Sequence, residues 1–141
     1  MMLTLQVPEA TPSLNAFSNP SGRRWKYLRL RRHWKVAIKD ALLEARAATR
    51  TPLAWPRPPK EFVLVQVTRY APAHHWLDAD NLAGGMKPLL DALKAHEVIA
   101  DDAPTAIDLV PRQEVSPHAQ PSRWTEIRLS IDPPLLREEH A

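Results

Sequence analysis

The sequence contains no cysteine and only three glycines among its 141 residues. Without cysteine, neither a disulfide framework nor a thiolate zinc site is available, and a reducing compartment is favoured. No segment approaches the roughly 20 apolar residues that a membrane span requires, and residues 1–7 lack the basic start and apolar run of a signal peptide. We therefore expect a soluble, cytoplasmic protein that has no membrane partner.

The charge is distributed unevenly along a chain whose length suits one domain. Residues 1–60 contain 12 Lys and Arg against 3 acids, whereas residues 61–141 contain 7 against 13. A basic segment suits a polyanion, and an acidic cluster can face the same polyanion if cations lie between them. The alternative, favoured for a charge run taken alone, is a solvated helix face.

Hydrophobic periodicity predicts the order strand, long helix, strand, helix, strand, strand. The strands are expected at residues 3–7, 61–70, 105–110 and 125–131, and the long helix at 23–49 with a cap near Ser21. This order favours an α/β (α+β) fold with a mixed four-stranded sheet and two helices. We predict a single domain over residues 1–132 and a flexible tail over 133–141.

The long helix has one apolar face and one basic flank. The apolar face is predicted to contain Leu30, Trp34, Ala37, Ala41, Ala45 and Ala48. The basic flank, which is available to solvent or to a ligand, contains Arg24, Arg31, Arg32, Lys35 and Lys39. In the strand at 61–70 both faces carry apolar residues, which indicates a central strand covered on each side.

The second helix is expected to place four apolar side chains inward: Met86, Leu89, Leu90 and Leu93. Because Pro88 is unfavourable in a helix interior, this helix should either begin near Lys87 or kink after Gly85.

Acidic residues cluster between positions 78 and 102. In an extended segment, Asp78 and Asp80 point the same way, so that two carboxylates meet at one point and need a compensating cation. Magnesium suits so sparse a set, since it takes one or two carboxylates and completes its shell with water and phosphate. The alternative is structural: Asp80 or Asn81 caps a helix, and Asp101 with Asp102 forms a turn.

Other metal sites fit less well. A calcium loop beginning at Asp78 would need a bidentate Glu where Leu89 stands. His74 and His75 are adjacent in a loop, where surface histidines are the simpler interpretation. Gly84 and Gly85 lack the rest of a phosphate-binding glycine loop.

The acidic stretch resembles the core of the RusA-like Holliday junction resolvases. The resemblance is strong over about 25 residues, in the runs DADNL at 78–82, KPLLDAL at 87–93 and VIADD at 98–102, and PSLN at 12–15 extends it weakly. It implies that Asp78, Asp80 and Asp102 are catalytic aspartates that bind magnesium (Mg2+), and that Lys87 is the catalytic lysine. Lys87 follows Asn81 by six residues, whereas the best-known pattern has three; residues 83–85 accommodate the difference.

The resemblance also implies a homodimer that binds four-way DNA junctions and nicks paired strands. In such a protein we expect the basic flank of the long helix to contact DNA phosphates through Arg24, Arg31, Arg32 and Lys35. Lys87 would add positive charge at the phosphate; its structural alternative is an exposed pair with Asp91, worth only ~0.3 kcal/mol. Two other hypotheses are a non-catalytic DNA-binding dimer with structural aspartates and a small interaction module that associates through its charge asymmetry. Trp25, Tyr27 and Trp34 are candidates for the dimer interface if they are exposed.

Overall fold

Four strands and three helices make up the part of the chain that the computed structural model describes, residues 1–17, 24–48, 54–116 and 122–131. The predicted cap near Ser21 and the predicted tail at 133–141 lie outside these residues. The elements are β1 (Met2–Val7), α1 (Arg24–Ala48), β2 (Val63–Ala71), α2 (Ala79–Gly84), α3 (Lys87–Ala95), β3 (Ile107–Val115) and β4 (Trp124–Ile131). Short 3-10 turns cover Leu14–Ala16 and Ala73–His75.

The strands form one mixed sheet in the order β1-β4-β2-β3. β4 is antiparallel to both β1 and β2, whereas β2 and β3 are parallel and are joined through α2 and α3. The predicted mixed α+β class with a four-stranded sheet is thus confirmed. The second predicted helix is a pair, because α2 ends at Gly84 and α3 begins at Lys87, which leaves Pro88 in the first turn where no hydrogen bond is lost.

The prediction that β2 is covered on both faces was wrong for the described residues. Val63, Val65 and Val67 are fully buried, but the alternate residues of the strand are only half-buried. The reason is that α1 and α3 contribute to a single core on the same face of the sheet. On the opposite face Tyr70 stacks on Trp124, with ring centroids 3.8 Å apart.

α1 packs on the sheet through Trp34, Ile38 and Ala41. The predicted apolar stripe is therefore correct at its centre, but it missed Ile38 and extended too far, since Ala48 is exposed. Burying a side chain as large as Ile or Leu stabilises the fold by roughly 1.5–3 kcal/mol. The inward positions predicted for the second helix are all confirmed: Met86, Leu89, Leu90 and Leu93 are buried. Within the described residues, no helix is both long and apolar enough to cross a membrane.

The loop at residues 12–15 docks against α2. The amide oxygen of Asn81 accepts hydrogen bonds from the Ser13 hydroxyl at 3.0 Å and from the Asn15 backbone N–H at 3.1 Å. Gly85 lies directly beneath the loop, where an added Cβ would stand 1.8 Å from the carbonyl oxygen of Pro12. Two segments nearly 70 residues apart in sequence are thus joined by one amide and one close backbone approach.

Replacing Gly85 by Ala should lower the free energy of unfolding by about 3 kcal/mol, the upper end of the usual cost of overpacking, because the Cβ meets rigid backbone. Gly84→Ala is the matched control: its Cβ meets the flexible side chain of Leu14 at 2.7 Å, and alanine gains about 1 kcal/mol of helix propensity. Urea denaturation measures both variants. Equal stabilities would contradict the close approach of the loop.

Candidate functional site

Three segments of the chain bring charged side chains together at the start of α3. Lys87, the first residue of α3, places its ammonium 3.6 Å from the carboxylate of Asp102 and 3.7 Å from that of Asp91, one turn along the helix. The hydroxyl of Tyr27, from the first turns of α1, donates a hydrogen bond to Asp91. We call Tyr27, Lys87, Asp91 and Asp102 the acidic cluster. The pair between Lys87 and Asp91, which was the structural alternative to a catalytic role for Lys87, is present, although Asp91 is largely buried. Asp102, which also faces Lys87, is one of the predicted site residues.

Tyr27 was missed as a site residue because 64 residues separate it from Asp91 and no local pattern links them. Burial is the main cause that raises the pKa of its phenol, followed by the hydrogen bond to Asp91, so Tyr27 remains a donor at neutral pH. Asp102 also raises this pKa, whereas Arg31 lowers it. Arg31, a predicted DNA contact, therefore lies within electrostatic reach of the acidic cluster.

The adjacent aspartates 101 and 102 have different roles. Asp101 accepts the backbone N–H of Asp102 at 2.8 Å and pairs with Lys94 at 3.1 Å. The hydrogen bond from Lys94 is the main cause that holds the pKa of Asp101 below its usual value. The turn-forming role proposed for this pair thus belongs to Asp101, which leaves the carboxylate of Asp102 directed at Lys87.

Asp78 is the N-cap of α2. Its carboxylate accepts the backbone N–H of Asn81 at 2.9 Å and the side-chain amide of Asn81 at 3.1 Å. The structural alternative that named Asp80 or Asn81 as the cap was therefore wrong about the residue, although a cap does exist. A cap of this type contributes about 1 kcal/mol, so Asp78 has a structural role whatever else it does.

Asp80 is exposed in the first turn of α2, and it makes no hydrogen bond or ion pair with a described residue. The argument that an extended backbone aligns Asp78 with Asp80 was wrong, because only Asp78 is extended and the helix begins at Ala79. In the described ranges, no three His, Asp or Glu side chains converge closely enough to hold a metal ion. Carboxylate oxygen is the donor that magnesium prefers, but Asp78, Asp80 and Asp102 do not form a closed cage.

The basic flank of α1 is exposed, as predicted. Arg24, Arg31, Arg32 and Lys35 are all solvent-exposed, and none forms an ion pair with a described residue. The same helix exposes Trp25, whose ring lies 5.4 Å from the guanidinium of Arg29. α1 therefore presents a basic surface whose cations lack acidic partners among the described residues and lie beside an exposed aromatic ring.

His74 and His75 lie in the short 3-10 turn Ala73–His75. His74 is exposed and His75 half-buried, and the two rings are 4.2 Å apart. The Nε2 atom of His75 accepts a hydrogen bond from Arg123 at 2.5 Å. His75 is therefore engaged by an arginine, an interaction that the sequence did not indicate.

The sequence matches no protein-family model, and no curated protein matches it closely enough to count as a relative. The resemblance to the RusA-like resolvases therefore rests on the motif residues alone.

Proposed function

We propose that the chain is a RusA-like, magnesium-dependent endodeoxyribonuclease that resolves four-way (Holliday) DNA junctions in recombination and repair. The observation that carries this proposal is the acidic cluster: Asp102 and Lys87 meet beside α1, whose exposed Arg31 is within electrostatic reach. A carboxylate beside a basic surface is an arrangement suited to a phosphodiester substrate, because the basic surface would bind the polyanionic DNA while the carboxylate would bind the metal cation. The absence of cysteine favours action in the cytoplasm.

The residues of the chain divide the work of phosphodiester hydrolysis. Lys87 supplies positive charge to the phosphate or to the leaving oxygen, and Asp91, fixed by Tyr27, orients that ammonium. One or two of the carboxylates of Asp78, Asp80 and Asp102 would hold magnesium, because the ion needs no more from the protein when water and substrate phosphate complete its shell. When bound, magnesium stabilises developing charge and lowers the pKa of an attacking water.

A second candidate is a non-catalytic DNA-binding dimer whose aspartates are structural. Two observations favour it: Asp78 caps α2, and Asp101 holds a turn. The candidates differ in their response to magnesium. A binding protein holds a junction in chelator and never cuts it, whereas a resolvase cuts only when the metal is added.

Asp80→Asn and Asp102→Asn should each reduce magnesium-dependent cleavage of a synthetic four-way junction by several orders of magnitude, because an unassisted phosphodiester is extremely inert. Junction binding should survive or tighten, since repulsion from the DNA falls. The unfolding free energy of Asp80→Asn should not change, because Asp80 does not cap α2. Cleavage and gel-shift assays, with and without magnesium, measure these effects.

Asp108→Asn is the matched control, because Asp108 is an exposed aspartate on β3 outside the acidic cluster. It should cut at the parent rate. An Asp80→Asn or Asp102→Asn protein that cuts as fast as the control would refute the catalytic assignment of that carboxylate, and full activity in both variants would refute the proposed carboxylate site. A parent protein that cuts no junction when magnesium is added would refute the nuclease.

Replacing Arg31 or Arg32 by Ala should weaken binding to all DNA sequences alike and lower the salt slope by about 1 for each DNA phosphate that the protein no longer neutralises. Arg112→Ala provides the comparison, since Arg112 is exposed on β3 and outside the basic flank of α1. Fluorescence anisotropy over a range of salt concentrations gives the slopes. If the α1 variants keep the parent slope while Arg112→Ala lowers it, the DNA surface lies elsewhere.

We also propose a homodimer, because symmetric cuts on two strands are supplied naturally by two equivalent sites. Trp34 is 1% exposed and Tyr27 is bound to Asp91, which leaves Trp25, 51% exposed, as the interface candidate among the three aromatic residues. Light scattering at micromolar concentration should give about twice the 16.0 kDa mass of one chain. A monomer mass would contradict the dimer, and a Trp25→Ser protein that remains dimeric would exclude Trp25.

A further inference from the structure

A polar cavity of about 370 Å³ lies under the loop that follows β1, away from the charged residues of the acidic cluster. Its lining includes Thr11 from the loop, Arg69 from the end of β2, His75 from the following turn, and Arg123 beside β4. The sequence predicted no binding role for any of these residues, and the proposed nuclease does not use them.

Arg69 is a buried cation without an acidic partner in the described part of the chain. Its side chain is 8% exposed, and it donates hydrogen bonds from Nε to the carbonyl of Thr11 at 2.8 Å and from Nη1 to the carbonyl of His75 at 3.0 Å. Burial, followed by the nearby charge of Arg123, lowers its pKa. Carbonyl oxygens satisfy two of its N–H groups but do not balance its charge, and an unbalanced buried charge is costly.

Around Arg69, the described residues include a second cation, Arg123, and no carboxylate that lacks a partner. Arg123 donates to Nε2 of His75, and the pKa of that ring is lowered by burial and then by Arg123, so His75 acts as a neutral acceptor. Glu9 also lines the cavity, but its carboxylate is held by His33 at 2.6 Å. Neither guanidinium has a described carboxylate within ion-pair distance.

Thr11 gives an independent indication that a partner is missing. It is 1% exposed, and its hydroxyl oxygen is buried with no hydrogen-bond partner in the described part of the chain. A buried hydroxyl without a partner costs about 1–3 kcal/mol and is rare in native proteins. One cavity is thus lined by two arginines without carboxylate partners and by a hydroxyl without a hydrogen-bond partner among the described residues. A small anion that accepts several hydrogen bonds would satisfy all three groups.

We propose that this cavity binds a phosphate group, held by the guanidinium groups of Arg69 and Arg123 and by the hydroxyl of Thr11. Phosphate carries the required charge, and its oxygens match the geometry of arginine donors. The phosphate is either a free ion or part of a nucleic-acid backbone. The backbone alternative rests on the proposed function; it is supported by the chain path, since residue 12 leads into the loop docked on Asn81 and His75 precedes Asp78 by three residues.

The first test is titration of the protein with inorganic phosphate, with chloride at the same ionic strength as the control. Calorimetry measures binding, and the melting temperature measures stabilisation. Phosphate should bind and should raise the melting temperature of the parent protein. Arg123→Gln, at an exposed position, should lose at least about tenfold in phosphate affinity. Arg112→Gln makes the same charge change outside the cavity lining, and it should leave phosphate binding unchanged.

Thr11→Val provides a second variant that does not depend on charge. It removes the unpartnered hydroxyl at nearly constant shape, so the protein should be at least as stable as the parent while phosphate affinity falls several-fold. A loss of stability with unchanged phosphate affinity would show that the hydroxyl serves the fold, and it would remove Thr11 from the site.

Binding to duplex and four-way DNA in chelator separates the two sources of phosphate. If the cavity holds the DNA backbone, Arg123→Gln lowers the salt slope by about 1 relative to Arg112→Gln; if it holds the free ion, DNA binding is unchanged while phosphate binding is lost. The proposal is overturned if Arg123→Gln matches Arg112→Gln in both phosphate and DNA binding. Asp102→Asn should bind phosphate normally, so a failure of the nuclease proposal would be seen separately from a failure of this one.

Discussion

The packing of α1 and α3 on one face of the sheet brings together the charged groups of the candidate site. Trp34 and Ile38 of α1 share a core with Leu89 and Leu93 of α3 and with the valines of β2. Tyr27 meets Asp91 near the start of both helices, and the carbonyl of Lys35 meets His96 further along, so the two helices run side by side in the same direction. Apolar packing between the helices thereby brings Tyr27, from the basic helix α1, into the acidic cluster. No interaction between sequence neighbours could do this.

The charges of the molecule are compensated in two contrasting ways. Around α3 the carboxylates have cationic partners: Asp91 and Asp102 face Lys87, and Asp101 faces Lys94. Ion pairs whose lysines are exposed to solvent contribute little to stability. At the end of β2 the balance is reversed, since Arg69 and Arg123 line one cavity and neither has a described carboxylate within ion-pair distance. The described residues thus place paired charges around α3 and two arginines without ion-pair partners at the end of β2.

Local backbone conformation accounts for the main departures from the sequence-based expectations. Asp78 and Asp80 were expected to point the same way along an extended segment, but the helix begins between them and Asp78 uses its carboxylate to cap it. Likewise, the apolar residues on both faces of β2 predicted a strand covered on each side, whereas the face opposite the core carries half-buried side chains such as Tyr70, which stacks on Trp124. Residue type alone does not reveal the role of Asp78, because a carboxylate can serve either as a helix cap or as a metal ligand.

Periodicity and the positions of Pro and Gly were enough to predict the order of the elements, the mixed four-stranded sheet, the inward residues of α3, and the basic exposed flank of α1, because these signals act over a few residues. Lys87 and Asp91 are four residues apart, a spacing that predicted their position on one helix face. Three features became visible only in the folded chain: Tyr27 binds Asp91, Asn81 holds the loop at residues 12–15, and two arginines share a cavity with Thr11. Each of these contacts joins side chains tens of residues apart, whose proximity is set by the packing of helices on the sheet and leaves no periodic signal in the chain.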